Sequence, residues 1–571
     1  MLKRKVGRPA ITSLGRSVQR MIWPAALAEK TGMPADEAVD HYAELEQRAR
    51  QKFIENKSRR DFLKIAGMAA PAFALSAKAS LAFSALSGDP DVAIVGGGLA
   101  GLRAAHSLLD MENSWDVRVY EGSDRIGGRC YTSRGFFDDN MHAELGAQTI
   151  SSEQRAIQQL CHSLGVGLED IWIDGSEEVT YLLNGVHVSA AAMQDQWVKD
   201  RYYQIFKNAR RDAPWAPLYY KSRKLHRKFD NMTVNEWLDD VGIGATTDFG
   251  QLMQSTHLAE YGLNGDEGSA LNMIYILAWN GRTLAPVEGL DSSFQIEGGN
   301  DNLVYAMANV IGEPRIELGK ELIAIRGDAE GPYTLVFKHG RDVTAPKVIL
   351  TIPHTTLRDV DIDPSIWSAF GPEKQDMVEN FGMAESNKVH IQFDNKYYLE
   401  EFSANGLNIK PDGTIYTSPG DDSVNCAWDE TIGQRETNPT NKGLMICFPG
   451  RERARAMHSK GLNAAASNAD IDAFVAQMDD AIPGGTDNLT GGDNRKDRLA
   501  LASNWIENKW SKGAYGAFYT GQWTAFNGAG EEVVGQNLHF AGEWTDVEWQ
   551  GYMEGAIVSG ERAAREVWQS S

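Results

Sequence analysis

The chain has 571 residues and carries 78 acidic against 56 basic side chains, a formal net charge of −22. This length predicts two or more domains with room for a large buried core and an internal cavity, while 42% hydrophobic and 23% charged residues exclude a disordered chain and a bundle of membrane helices. Residues 1–64 are net basic, so the acid sits in the body of the protein, whose surface repels phosphate backbones and anionic lipid; no nucleic-acid partner is expected.

In chain order, residues 35–57 read as a helix entered at Pro34, with Asp36 and Glu37 in its first turn and Arg48, Arg50 and Lys52 toward its end. Ser58-Arg59-Arg60-Asp61-Phe62-Leu63-Lys64 is followed by an uncharged run of small and apolar residues from Ile65 to Ala77, then by Ala77-Lys78-Ala79. This resembles a twin-arginine export signal. The resemblance implies handling by the twin-arginine export machinery, cleavage after Ala79 and a periplasmic or secreted protein. The apolar run is shorter than the roughly 20 residues of a permanent span, so no integral membrane span is expected. The competing reading keeps residues 1–79 as a basic arm packed as extra helices. Because the twin-arginine route carries folded cargo, such a signal suits a protein that already holds a redox cofactor.

Asp91-Val92-Ala93-Ile94-Val95 is a continuous apolar run, as expected of a central parallel strand buried on both faces. Gly96-Gly97-Gly98-Leu99-Ala100-Gly101 follows, giving GxGxxG at Gly96, Gly98 and Gly101, and Leu102 to Leu109 read as a helix. The first glycine permits the tight turn, the second lets the backbone approach a pyrophosphate, and the third lets helix and strand pack closely. A second strand, Val117-Arg118-Val119-Tyr120, ends at Glu121, where a carboxylate accepts both ribose hydroxyls and disfavours a 2′-phosphate. The pattern predicts a dinucleotide other than NADP.

The continuation selects FAD over NAD. Arg125-Ile126-Gly127-Gly128-Arg129 is followed by Thr132, Arg134 and Glu144-Leu145-Gly146-Ala147, for which an NAD site has no need. Near the C-terminus stand Leu538-His539-Phe540-Ala541-Gly542-Glu543 and Trp549-Gln550-Gly551-Tyr552-Met553-Glu554-Gly555-Ala556, the latter opening a helix that runs through Arg565. With these motifs, residues 89–571 resemble the flavin-containing amine oxidases, a family that includes monoamine, polyamine and L-amino-acid oxidases.

The resemblance implies an α/β protein in which a glutathione-reductase-like, FAD-binding Rossmann domain is interleaved with an α+β substrate domain. Residues 89–180, 290–360 and 495–571 would form the flavin part, and residues 181–289 and 361–494 the substrate part. Gly127, Gly128 and Gly146 would pass close to the cofactor and Arg129 would supply positive charge; a plain Gly-Gly turn with an arginine ion pair is the competing reading. Gly542, Glu543, Tyr552 and Met553 would complete the cofactor site. Local patterns agree: Phe294-Gln295-Ile296-Glu297-Gly298-Gly299 precedes a helix from Asp301, and Val348 to Pro353 reads as a buried strand. Residues 195–280 read as helical and aromatic-rich, with Thr233 capping a helix that holds Glu236 and Trp237. The polar stretches near 410–440 and 484–497 read as inserted loops.

Oxidising a C–N bond requires a neutral amine, an electron acceptor at its α-carbon and a path for oxygen. The resemblance assigns Tyr552 and Tyr515 to an aromatic cage at the flavin. It assigns Lys388, in Ser386-Asn387-Lys388-Val389-His390-Ile391, to holding a water at flavin N5 and assisting oxygen; a solvated strand lysine is the competing reading. In Trp510-Ser511-Lys512-Gly513-Ala514-Tyr515, Ala514 stands where monoamine oxidases place the cysteine that tethers flavin, so noncovalent FAD is expected. Thr149 stands where L-amino-acid oxidases place a carboxylate-binding arginine. The expected reaction is therefore oxidative deamination of a primary amine, with O2 reduced to H2O2. The alternatives are an L-amino-acid oxidase, a flavin dehydrogenase or desaturase using another acceptor, and a flavin-bearing module without turnover. A homodimer is compatible with this reading. No ligand spacing predicts a metal, and Cys130, Cys161, Cys426 and Cys447 are too few and scattered to staple the chain; Cys426 and Cys447 are left either paired or, by preference, as buried free thiols.

Overall fold

A computed structural model describes residues 88–112, 114–171, 178–276, 293–420 and 423–570. The expected helix at 35–57 and the export signal at 58–79 lie outside the described residues.

The apolar run at the start of the body is the central strand of a five-stranded parallel sheet. Its members are β1 (Val92–Val95), β2 (Val117–Tyr120), β3 (Ile316–Glu317), β4 (Lys347–Leu350) and β5 (Leu538–Phe540), in the order β5-β4-β1-β2-β3. Side chains alternate between two cores. Val92, Ile94, Val117, Val119 and Ile349 pack with helices α1 (Leu99–Met111), α2 (Asp301–Ile311) and α3 (Met553–Gln569). Ala93, Val95, Tyr120, Val348 and Leu350 face Tyr333, Leu335 and Phe337 of a four-stranded sheet. Tyr120 and Phe337 meet there with ring centroids 5.2 Å apart. Burial on both faces explains the unbroken hydrophobic run, each aliphatic side chain contributing about 1.5–3 kcal/mol.

A separate eight-stranded sheet runs Leu462–Ala465, Ala500–Ser503, Lys388–Phe393, Gly443–Cys447, Cys426–Asp429, Pro411–Thr417, Glu178–Leu183, Val186–Val188. Two of its strands, Glu178–Leu183 and Ala500–Ser503, overlap stretches expected in the flavin part, yet they pair here. Along Lys388–Phe393 the alternation positions the site. Val389, Ile391 and Phe393 pack against Phe474, Val475 and Met478 of the helix Asn468–Ala481. Lys388 turns the other way, to Glu144 and Gly146 at the end of the short strand Ala143–Glu144, and Gln392 to Asp138. Helices from Ala190–Lys199 to Ala270–Ile276 form the expected aromatic-rich layer, and Thr233 makes a reciprocal capping box with Glu236.

The stretch at 410–440 corrects the expectation of a polar loop. Pro411–Thr417 and Cys426–Asp429 are core strands, the former buried throughout. Their polar residues are satisfied locally: Asp412 accepts from Thr414 N at 2.8 Å, and Asp429 from the amide and hydroxyl of Thr431. Turn-type residues at strand ends had masked the strands between them. The four cysteines are free and buried, which settles Cys426 and Cys447 as thiols. Among the described residues no helix is long and apolar enough to cross a membrane, and no group of three His, Cys, Asp or Glu side chains is placed to hold a metal ion.

Candidate active site

One cavity of about 600 Å³ begins at the β1–α1 turn and ends between the two sheets. At the turn, Gly96 has φ +110°, and a Cβ there would collide with Thr351. A Cβ on Gly101 would strike the carbonyl of Gly96, so this third glycine sits behind the cavity and sets the distance between helix and strand. Gly98 is different: at φ −80° it would accept a side chain, and the space at its Cβ is open to the cavity, the nearest atom being Gly127 O at 4.0 Å. Gly127 N donates to Gly97 O at 2.8 Å, drawing the second glycine pair onto the first. Glu121 closes this end, accepting from Gly97 N at 2.7 Å and Ser123 N at 2.8 Å.

Two helices begin at the cavity. Gly98 precedes α1 and Tyr552 precedes α3; among the described residues no side chain caps either first turn. Uncapped amides at a helix N-terminus, with the helix dipole behind them, suit a phosphate. Gly96, Gly98, Gly127, Gly128, Gly146, Glu121, Arg129, Gly542, Glu543 and Met553 all line this space; of the expected cofactor residues only Gly101 stands back from it. The open cradle at Gly98, the uncapped amides and the Glu121 carboxylate fit a dinucleotide diphosphate and its ribose.

Arg129 combines both of its sequence readings. It lines the cavity, and its guanidinium pairs with Glu543 at 2.7 Å and donates to Ala514 O at 2.9 Å. Glu543 also accepts from Gly516 N and from Gly551 N, the latter at 2.8 Å. Glu554 of the C-terminal motif faces away. It accepts from Ala156 N and Ile157 N, both at 2.8 Å, capping the helix Arg155–Ser163, and burial pushes its carboxyl up to about 7.

Farther in, Tyr515, Tyr552 and Lys388 line the same cavity. Tyr515 donates its hydroxyl to Ala259 O at 3.0 Å, and Tyr552 stands edge-on to Trp549, with ring centroids 6.4 Å apart. Lys388 is 5% exposed, which corrects the solvated-lysine reading. Its ammonium donates to Glu144 O, Gly146 O and Gln148 Oε1, each at 2.9 Å, so all three protons are taken by protein oxygens. Burial lowers Lys388 to about 8, against the opposing pull of Glu430 and Glu144.

Four residues here escaped sequence reasoning. Gln148 lines the cavity and bridges Lys388 to the buried Glu430, its amide donating to that carboxylate. Trp428 and Phe448 form an aromatic wall, with centroids 5.6 Å apart at 64°. Glu430, Trp428 and Phe448 lie about 280 to 305 positions from the Glu144-Leu145-Gly146 turn, and no local spacing signals them. Gln148 was within reach, two residues beyond that turn. Thr149 and Ala514, noted for the arginine and cysteine they replace, also line the cavity.

The family model described as flavin-containing amine oxidoreductase matches residues 99–568. The chain belongs to this family. It is an oxidoreductase, and the cofactor of the family is a flavin, for which the cradle described above fits FAD. Curated relatives include a probable flavin-containing monoamine oxidase A of Dictyostelium discoideum, 24% identical over 503 residues, spanning 84% of this chain and 97% of the relative. A putative flavin-containing monoamine oxidase AofH of Mycobacterium tuberculosis is 24% identical, spanning 84% and 96%. Among solved structures, putrescine oxidase bound to putrescine superposes with a TM-score of 0.66 at 22% identity, covering 84% of this chain and 99% of its own. Cyclohexylamine oxidase from Brevibacterium oxydans IH-35A gives 0.65 at 20% identity over the same shares. These structural likenesses establish the fold: a mixed α/β protein with a parallel Rossmann-like core and a separate sheet.

Proposed function

We propose that this protein is a noncovalent FAD amine oxidase that converts a primary amine to an imine, which hydrolyses to an aldehyde and ammonia while O2 is reduced to H2O2. The observation that carries the reading is a single cavity shared by the dinucleotide cradle, two tyrosines and a buried lysine. Bound FAD supplies the two-electron acceptor. The chain supplies the rest. The faces of Tyr515 and Tyr552 attract a polarised amine and exclude water, which raises the uncharged, reactive fraction. The Lys388 ammonium favours negative charge developing on oxygen in a site of low dielectric. Ala514 presents no thiol to flavin, which supports noncovalent binding.

The wall of Trp428 and Phe448, with Thr149 nearby, suits an amine with an apolar body and no carboxylate. The names of the structural neighbours, putrescine oxidase and cyclohexylamine oxidase, support an amine over an amino acid. Anaerobic mixing of the yellow holoenzyme with aliphatic, aromatic and polyamine substrates, beside L-amino acids, tests cofactor, reaction and specificity together. Bleaching by amines is expected. Bleaching by L-amino acids alone would transfer the assignment to an L-amino-acid oxidase, and reduced enzyme that meets O2 no faster than free flavin would indicate another electron acceptor.

Residues 58–79 are proposed to direct twin-arginine export, on the strength of Arg59-Arg60, the uncharged run and Ala77-Lys78-Ala79. Replacing both arginines by lysine in a host with that machinery should hold the protein in the cytoplasm; unchanged delivery would refute the signal.

A further inference from the structure

The charge at Lys388 is embedded in a closed ring of hydrogen bonds. Lys388 Nζ donates to Gln148 Oε1 and to Glu144 O, Gln148 Nε2 donates to Glu430 Oε2, and Glu430 Oε1 accepts from Glu144 N at 2.6 Å. Only one orientation of the Gln148 amide serves both neighbours, with oxygen toward the ammonium and nitrogen toward the carboxylate. All three side chains are buried: Glu430 is 1%, Lys388 5% and Gln148 9% exposed.

We infer that Glu430 is a positioning residue for Lys388, acting through Gln148 to keep the ammonium charged and fixed at the cavity wall. The inference rests on the oxidase reading of that lysine. Among the other groups facing Lys388, Glu144 also raises it, but less than Glu430 does. The Glu144 carboxylate is turned to Thr132 Oγ1 and Asn300 N, His390 and the Cys426 thiol are held neutral by burial, and the Trp428 ring lies 5.9 Å away. Glu430 is the carboxylate that raises Lys388 most, and the lysine in turn favours the ionised form of a Glu430 pushed up to about 8 by burial. A buried ammonium without such a partner sheds its proton.

The test follows the visible flavin absorption of oxidised holoenzyme against pH, a readout independent of turnover. A transition near pH 8 is expected in the wild type and absent in Lys388→Met. Glu430→Gln should move it to lower pH by about 1–3 units, the effect of removing one close opposite charge. Gln148→Leu, which also removes an acceptor from the ammonium, should move it the same way and decides the matter should Glu430→Gln fail to fold. A merely structural Glu430 would alter the melting temperature and leave the midpoint in place. An unmoved midpoint in flavin-loaded variants overturns the inference, as does a transition that survives Lys388→Met or is missing from the wild type. Bleaching by amines bears on the oxidase reading alone, so the two stand or fall separately.

Discussion

Arg129 and Glu543, 414 positions apart, form an ion pair of 2.7 Å that braces both proposed cage tyrosines at once. Through Ala514 O and Gly516 N the pair holds the backbone on either side of Tyr515, and through Gly551 N it holds the residue before Tyr552. Two segments distant in sequence are thereby fixed about one buried carboxylate.

Replacing Glu543 by Gln should therefore loosen the site more than its isosteric shape suggests. The amide keeps one acceptor where the carboxylate serves three donors, and it leaves a partly buried guanidinium unpaired. A loss of about 3 kcal/mol is expected from breaking such a pair. Thermal or denaturant melts should record it, together with lower flavin retention. A variant as stable and as yellow as the wild type would mean that the tyrosines are held by other contacts.

The glycine motif separates folding from cofactor binding. Gly101→Ala forces a Cβ into the Gly96 carbonyl and should yield little folded protein. Gly98→Ala meets no protein atom closer than 4.0 Å and needs no change of φ, so the fold should form at near wild-type stability while the methyl occupies the space left for the diphosphate. Melting temperature and flavin content, measured on both variants, check this contrast. Full flavin retention by Gly98→Ala would place the cofactor elsewhere.

The thiols provide a simple test of the described core. Burial pushes Cys130, Cys426 and Cys447 well up from the ordinary thiol range, and Cys161 is fully buried. A thiol-reactive chromogen should label none of the four in the native protein and all four after denaturation. Labelling of Cys130 in apoprotein but not in holoenzyme would show that access to the cavity is controlled by the cofactor.

The cofactor end of the site was legible because its signals are contiguous. A turn, a helix start and a strand-terminal acid each carry their own geometric requirement, and the structure sets Gly96, Gly98 and Glu121 side by side. The substrate end was not. Trp428 and Phe448 line the cavity and Glu430 is buried behind Gln148, yet Trp428 and Glu430 fall in the stretch at 410–440 that reads as polar because it holds Asp412, Asp429 and Thr431. Inside the fold Asp412 accepts from Thr414 N, and Asp429 from the amide and hydroxyl of Thr431. Polarity marked them as solvent-facing, whereas local hydrogen bonds had removed the cost of burying them.

Tyr552→Phe should retain flavin, because it keeps the ring and the backbone before it, where Gly551 N donates to Glu543. Both rings remain aromatic, so a fall in turnover of about tenfold, with little change in substrate affinity, is expected if the hydroxyl polarises the amine. Pairing this variant with Tyr515→Phe in a double-mutant cycle would reveal whether the two rings act as one unit. Unchanged turnover in Tyr552→Phe would remove its hydroxyl from the mechanism.

Lys388 gives the pH dependence its sign. Its ammonium is protonated below about 8 and neutral above. Electrostatic assistance to oxygen therefore operates on the acid side and fades as pH rises through that value, while amine oxidation, which needs the uncharged substrate, improves in the same direction. The two half-reactions should diverge: flavin reduction by amine rises with pH, and reoxidation by O2 falls. In Lys388→Met, reoxidation should be slower by about 100-fold at neutral pH, the scale of losing one preorganised charge, and should no longer fall with pH. Stopped-flow measurement of each half-reaction between pH 6 and pH 10 separates these trends. Equal slowing of both halves, or a reoxidation rate in Lys388→Met that keeps the wild-type pH dependence, would assign the effect on oxygen to another group.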